Sequence, residues 1–293
     1  MTTETTAATD ILSAGTAMEG VTLHVEDLPA QADYYREALG LTTLAEGDGT
    51  VALGRPGSTV VVLRHTPGLP RPARSGAGLF HTAVLFDTPA DLAAAVLTAA
   101  RHPRSRYVGS ADHLVSEAFY FTDPEGNGIE LYTDRPRSQW TLTGGQIEMA
   151  SLRLDAQDYL NTHLTEAAVD AMTRTQASVG HMHLQVGDLA AAERFYVDAL
   201  GFATMLRAPG ALFVSAGGYH HHIAVNTWNS LGAGPRASTL GLGEVAVTVP
   251  TRTEVDAVAA RLRAHGLTVA DDGATLRTQD PWLNSIAVTV AAA

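Results

Sequence analysis

Tyr35-Arg36-Glu37-Ala38-Leu39-Gly40-Leu41 returns later in the chain as Tyr196-Val197-Asp198-Ala199-Leu200-Gly201-Phe202. Ahead of it, Val25-Glu26-Asp27-Leu28 returns as Val186-Gly187-Asp188-Leu189 at the same offset. Two separated blocks that share one offset without a gap mark an internal repeat. A fainter pair lies further on in each half. His81-Thr82-Ala83-Val84-Leu85-Phe86-Asp87 lines up with Glu244-Val245-Ala246-Val247-Thr248-Val249-Pro250, and Asp123-Pro124-Glu125-Gly126-Asn127-Gly128-Ile129-Glu130-Leu131 with Asp280-Pro281-Trp282-Leu283-Asn284-Ser285-Ile286-Ala287-Val288. The chain therefore reads as four units of about 50 residues each, A1, B1, A2 and B2 in order.

Every unit has the same coarse profile. It opens with an alternating strand, such as Val21 to Val25 or His181 to Val186. A helix follows, with Asp27 or Asp188 as N-cap and Gly40 or Gly201 as the stop. Short strands separated by Gly-rich turns complete it, giving βαβββ four times. The stretch 133–177, between B1 and A2, is too long for an ordinary loop. The weak helical spacing from Leu152 to Met172 predicts a linker with its own short helices. The expected divisions are a frayed tail over 1–17, a first domain over 18–135, the linker over 136–177 and a second domain over 178–293.

The 293 residues contain no cysteine, so disulfides, thiolate nucleophiles and Cys-ligated metals are excluded, and any metal must sit on His, Asp or Glu. The net charge of −12 gives no basic face for nucleic acid. The first seventeen residues lack the basic and apolar regions of a secretory signal, and no apolar run is long enough to span a membrane. The expectation is a soluble cytoplasmic protein without nucleic-acid or membrane partners.

The repeat also separates chemistry from scaffold, because copies can be compared position by position. Gly20 in A1 corresponds to His181 in A2, and Thr59-Val60-Val61 to His220-His221-His222. His81 in B1 corresponds to Glu244 in B2, Tyr120 to Arg277, and Glu130 to Ala287. Ligand-capable residues are concentrated in the two middle units. His24, His65, His102, His163 and His265 read as structural, capping or surface groups.

With the opening strand, the V-x-D-L turn, the helix ending A-L-G and the closing Asp123-Pro124-Glu125-Gly126-Asn127-Gly128-Ile129-Glu130-Leu131-Tyr132 segment, the chain resembles the vicinal oxygen chelate superfamily. That group includes glyoxalase I, bleomycin- and fosfomycin-resistance proteins and extradiol dioxygenases. His81, the Asp112-His113-Leu114-Val115-Ser116 run, Arg135 to Trp140 and the Tyr219 to Ile223 run are most similar to its two-domain catechol-2,3-dioxygenase branch. The resemblance implies an α+β fold of four βαβββ modules paired into two curved, barrel-like mixed sheets with helices outside. It places metal ligands on the first and last strands of a unit, at His81, Glu130 and His181. Two imidazoles and a carboxylate form the facial triad of a non-haem Fe(II) site, with Mn(II), Zn(II) and Ni(II) as the other candidates.

The resemblance further implies a small aromatic diol and O2 as substrates. His221, on the last strand of the A-type unit, is the implied acid–base group, with the register of His220-His221-His222 open by one residue, so that a slip would exchange it for His220 and His222. Tyr120 is a donor to a substrate oxygen, His113 a loop group closing over the ring, and His183 and His222 substrate-binding groups. An extra histidine that such enzymes carry before the Asp-His pair is replaced here by Gly109-Ser110-Ala111. The alternatives are a metal-dependent glyoxalase-like isomerase or lyase and an antibiotic-binding resistance protein without catalysis. If units paired in chain order, His181 would be parted from His81 and Glu130. The expectation is therefore that B1 and A2 share one sheet and A1 and B2 the other, the linker being long enough to allow it; a swapped homodimer is the other way to close the site.

Overall fold

The computed structural model describes residues 12–55 and 57–291. Unit A1 comprises β1 (Ala17–Val25), α1 (Leu28–Leu39), β2 (Thr42–Gly47), β3 (Thr50–Arg55) and β4 (Ser58–His65). B1 comprises β5 (Gly78–Phe86), α2 (Pro89–Arg101), β6 (Arg106–Asp112), β7 (Ser116–Thr122) and β8 (Gly128–Asp134). The linker holds a small hairpin, β9 (Leu142–Thr143) and β10 (Gln146–Ile147), then β11 (Leu152–Arg153), α3 (Ala156–His163) and α4 (Glu166–Ala171). A2 comprises β12 (Ala177–Gln185), α5 (Leu189–Glu193) prolonged by a wider π turn over Arg194–Ala199, β13 (Ala203–Ala208), β14 (Ala211–Ser215) and β15 (Ile223–Asn226). B2 comprises β16 (Gly241–Val249), α6 (Arg252–Ala264), β17 (Ala270–Asp271), β18 (Thr275–Gln279) and β19 (Ser285–Val290).

Local chemistry sets the start of each unit's helix. Asp27 accepts from the Ala30 N–H, Thr88 from Asp91, Asp188 from Ala191 and Thr251 from Glu254, each satisfying a backbone donor that the helix itself leaves unpaired. Gly40 ends α1 in the left-handed region at φ 62°, where a side chain would be strained.

Two large mixed sheets result, and neither is a closed barrel. One has eight strands in the order β17-β18-β19-β16-β1-β4-β3-β2 and so combines A1 with B2. The other has nine, β11-β6-β7-β8-β5-β12-β15-β14-β13, and combines B1 with A2 and one linker strand. Each sheet is joined at its middle by an antiparallel pair of first strands, β1 with β16 and β5 with β12. The expected crossing of units between sequence halves is present within a single chain. Along β12 the alternation of faces sends Met182 and Leu184 into the main apolar core, which also takes Val21 and Leu23 of β1, and leaves His181 and His183 on the opposite face.

The tail and linker are more tightly bound than their sequences suggest. Of the stretch 1–17, residues 1–11 lie outside the described residues, but Leu12 is buried and its N–H donates to the Gly201 carbonyl at 3.1 Å. The guanidinium of Arg55, fully buried, donates to the carbonyls of Met172, Thr175 and Leu39, fastening the end of the linker to A1. No helix among the described residues is long and apolar enough to cross a membrane.

Candidate metal centre

The nine-stranded sheet brings His81, Glu130 and His181 together. Strand pairing sets Glu130 of β8 beside Ala83 of β5, and Ala83 beside His181 of β12, in one row across three strands. The Ala83 methyl is small enough for the two flanking side chains to meet above it, and His81 rises two residues along β5 on the same face. His81 Nε2 lies 2.9 Å and His181 Nε2 3.3 Å from Glu130 Oε2. One donor atom from each residue falls within 4.8 Å of one from each of the others, and all three side chains are buried.

The protonation states suit a cation. Burial alone would raise the Glu130 carboxyl, but the imidazoles of His181 and His81 outweigh it and hold that group well below the ordinary range. Burial lowers His181 to about 4, against the opposing pull of Glu130. The resulting set is one carboxylate beside an unprotonated imidazole at neutral pH. His81 Nε2 faces the Glu130 carboxylate at 2.9 Å but without the geometry of a regular hydrogen bond. Buried polar atoms are rarely left so, and a divalent ion satisfies such a nitrogen. The residues present therefore fit the metal that the donor set implies.

Among the described residues, the symmetric position that could add a fourth ligand to this set carries none, for a visible reason. In β5 and β8, Thr82 pairs with Ile129 and Ala83 with Glu130; in β12 and β15, Met182 pairs with Ile223 and His183 with Ala224. Ala224 thus stands where the internal two-fold would repeat Glu130. In the other sheet the same position is Ala287, facing Arg277, and Arg277 is paired with Glu244 at 3.1 Å.

The histidine run takes the one-residue slip that its register left open, and lies ahead of the last strand. Val21 pairs with Val61 in A1, but Met182 pairs with Ile223 in A2, so the last strand is displaced by one residue between copies. His220, His221 and His222 precede β15 instead of lying on it, after a turn in which Gly217 and Gly218 take φ values of 61° and 66°. Strand alternation therefore does not sort them. His221 lines the main cavity, with its ring 4.0 Å from that of His181. His220 reaches Asp134 with Nε2 at 2.9 Å and meets His221 with Nδ1 at 2.7 Å. His222 is turned the other way: its Nδ1 is bound by Ser215 Oγ at 2.9 Å and the Ala216 N–H at 3.2 Å, and it lines a separate cavity. His222, expected among the substrate-binding groups, therefore lies outside the cavity that holds His81, Glu130 and His181. His181, His220 and His221 form a second triad of close donors, but there His220 and His221 are already bonded to each other and no carboxylate is included.

The main cavity, about 600 Å³, opens over these groups. Tyr120, paired across β7 and β8 with Glu130, points into it; burial raises its hydroxyl well above the usual range, so it remains a proton donor. His113 donates through Nδ1 to the Ala150 carbonyl at 2.7 Å, which leaves Nε2 to accept from the Tyr120 hydroxyl at 2.6 Å. Asn226 donates to His183 Nε2 at 2.9 Å, so His183 is a satisfied group in the cavity wall. Phe80, Phe213 and Trp228 pack around the His183 ring at 4.9, 6.1 and 5.4 Å.

Several of these residues carried no signal in the repeat. Ala150, with Met149 and Ser151, brings the linker into the cavity wall, where no chemistry was expected. Asp134 was legible in principle, since Glu130, Tyr132 and Asp134 share one face of β8 by alternation.

With its fold and site defined, the chain can be placed. It matches the Glyoxalase/Bleomycin resistance protein/Dioxygenase superfamily over residues 18–131 and 178–278, and it belongs to that superfamily. It is 35% identical over 272 residues to a Bacillus subtilis (strain 168) protein named catechol-2,3-dioxygenase, covering 88% of this chain and 92% of that one. Among solved structures, glyoxalase I from Zea mays superposes with a TM-score of 0.57 at 17% identity, over 94% of this chain and 92% of that chain. A Bacillus subtilis subsp. subtilis structure described as a dioxygenase candidate gives 0.62 at 14% identity, over 94% and 86%. At these identities the structural likeness speaks for the fold alone.

Proposed function

We propose that the protein is a metal-dependent extradiol dioxygenase that opens the ring of a catechol with O2, using Fe(II) held by His81, Glu130 and His181. The observation that carries the reading is the three-ligand set with an alanine, Ala224, at the fourth symmetric position. A glyoxalase-like isomerase would call for a further ligand there. A drug-binding protein without a metal would have no use for two imidazoles and a carboxylate converging in one buried cluster. The likeness to the named catechol-2,3-dioxygenase supports the same choice.

When bound, the metal supplies the open coordination positions and the electron transfer that this chemistry needs. The chain's own residues would prepare the diol. Asp134 Oδ1 accepts from His220 Nε2–H, and His220 Nδ1 then accepts from His221 Nδ1–H. That sequence leaves the His221 Nε2 lone pair free to take a proton from a catechol hydroxyl. Burial lowers His221 well below the ordinary imidazole range, with His181 and His220 adding to it, so His221 is unprotonated and able to act as base at neutral pH. The Asp134 carboxylate steadies the charge that His221 acquires. Tyr120 keeps its proton and donates it in a hydrogen bond to His113 Nε2, which turns the lone pairs of its oxygen toward the cavity to accept from a substrate hydroxyl. The aromatic wall excludes water from one side of the ring.

The test is anaerobic reconstitution with Fe(II), followed by oxygen uptake with catechol. The expected result is oxygen consumption together with a coloured ring-opened product, both lost in His81→Ala and Glu130→Ala. Isomerisation of a thiol adduct, or no oxygen uptake by fully loaded protein, would contradict the reading.

A further inference from the structure

We propose that this site selects uncharged catechols bearing a sizeable apolar substituent and turns away catechols bearing a carboxylate. The proposal rests on the dioxygenase reading and narrows its substrate class. Three observations carry it. The first is volume. A cavity of about 150 Å³ is enough to take a benzene ring, whereas this one measures about 600 Å³. Catechol alone would leave most of it unfilled.

The second is the wall. Beyond the ligand groups the cavity is bounded by Phe80, Phe213, Trp228, Val108, Leu206 and Ala208. Phe80 and Trp228 are in ring contact at 5.6 Å, while Trp228 and Val108 remain 53% and 61% exposed, which sets an apolar rim at the mouth. Such a surface rewards an apolar substituent that leaves water.

The third is charge. No lysine or arginine lines the cavity among the described residues. Arg207 stands between Leu206 and Ala208 on β13, but its guanidinium is bound by Glu193. Arg135, just beyond β8, is held by Asp112 and Glu117 at 2.8 and 3.1 Å. The one acidic residue in the lining is Glu130. A carboxylate on the substrate would be desolvated against this apolar wall without an arginine or lysine to pair with.

The experiment compares two near-isosteric substrates, 4-isopropylcatechol and 3,4-dihydroxybenzoate, on Fe(II)-loaded protein, with unsubstituted catechol as reference. The expected kcat/KM for the isopropyl compound exceeds that for the carboxylate at least tenfold and also exceeds that for catechol. Leu206→Arg, which adds a cation to the wall, should cut the isopropyl-to-carboxylate ratio at least tenfold. Val108→Arg, at the exposed rim, provides the same change where folding is not at stake. A carboxylate turned over within threefold of its isostere, or a ratio unmoved by both variants, overturns the proposal. If no catechol is opened at all, the dioxygenase reading falls by itself. Calorimetric titration of the loaded protein without oxygen then decides this proposal: tenfold tighter binding of the isopropyl compound upholds it, and equal affinities overturn it.

Discussion

At the scale of single residues, the site depends on a few small or polar groups whose importance comes from their neighbours. Ala83 makes room for Glu130 and His181 to converge, and Ala224 leaves the fourth position open. Asp134 fixes the proton arrangement of His220 and, through it, of His221. Asp134→Asn is expected to lower kcat about tenfold to a hundredfold, in line with other supporting-shell substitutions, while KM changes less than about twofold. Steady-state kinetics with catechol checks this, since a purely structural role would instead raise KM and lower the melting temperature. His81, Glu130 and His181 stood out in the sequence because the repeat supplies a bland counterpart at each place: Glu244 tied to arginine, Ala287 and Gly20. Asn226 did not, because its role lies in what it bonds, and a hydrogen-bond partner across strands leaves no mark in spacing; Asp134 shares the face of Glu130 by alternation, but its bond to His220 leaves no such mark either.

At the scale of elements, β8 and β12 do most to shape the site. Glu130, Tyr132 and Asp134 follow one another on a single face of β8. The Tyr132 ring packs 4.8 Å from that of His181, and its hydroxyl meets Tyr219 at 2.7 Å. Gly180 allows that approach, since a Cβ there would stand 1.7 Å from the Tyr132 hydroxyl oxygen. Gly180→Ala is therefore expected to destabilise the protein by about 1–3 kcal/mol through overpacking, and to weaken metal binding as β12 shifts beneath His181. Urea unfolding and metal titration of the variant check the two effects. The first helix of each half and its cap were legible because Asp27 and Asp188 act within a few residues of themselves. The register of the histidine run stayed open by one residue because an ungapped repeat cannot show that β15 begins one residue late, after two glycines at positive φ.

At the scale of the whole molecule, the two sequence halves exchange units. Joining B1 to A2 through β5 and β12 lets one chain close the triad, while A1 and B2 form the sheet without it. The crossing followed from the ligand positions, whereas the seating of the linker depends on Arg55 and on carbonyls, groups with no pattern to read.

Burying so many histidines has a cost that shows with pH. Burial lowers His181 to about 4 and His222 to about 3, and also lowers His183 and His221. Each is unprotonated in the fold, yet takes up a proton on unfolding once the pH falls below about 6.5. The unfolded chain then binds more protons, so stability present above that pH drains away as it falls toward 4, by about 1.4 kcal/mol per pH unit per group. Glu130, lowered by its imidazole neighbours, acts in the same sense at still lower pH, while Asp123 and Asp280, raised by burial, oppose it. Metal-free protein should therefore melt well below its neutral-pH temperature at pH 5. A melting temperature unchanged from pH 7.5 to 5 would contradict the burial of unprotonated imidazoles.

The central claim is that one divalent ion sits among His81, Glu130 and His181. Metal content per chain after anaerobic Fe(II) loading and desalting tests it most directly, across the parent protein, His81→Ala, Glu130→Ala, His181→Ala and His220→Ala. The expected result is about one ion in the parent and in His220→Ala, and none retained in the other three. Full retention in His81→Ala or Glu130→Ala, with loss in His220→Ala, would place the ion on the second histidine cluster and contradict the claim.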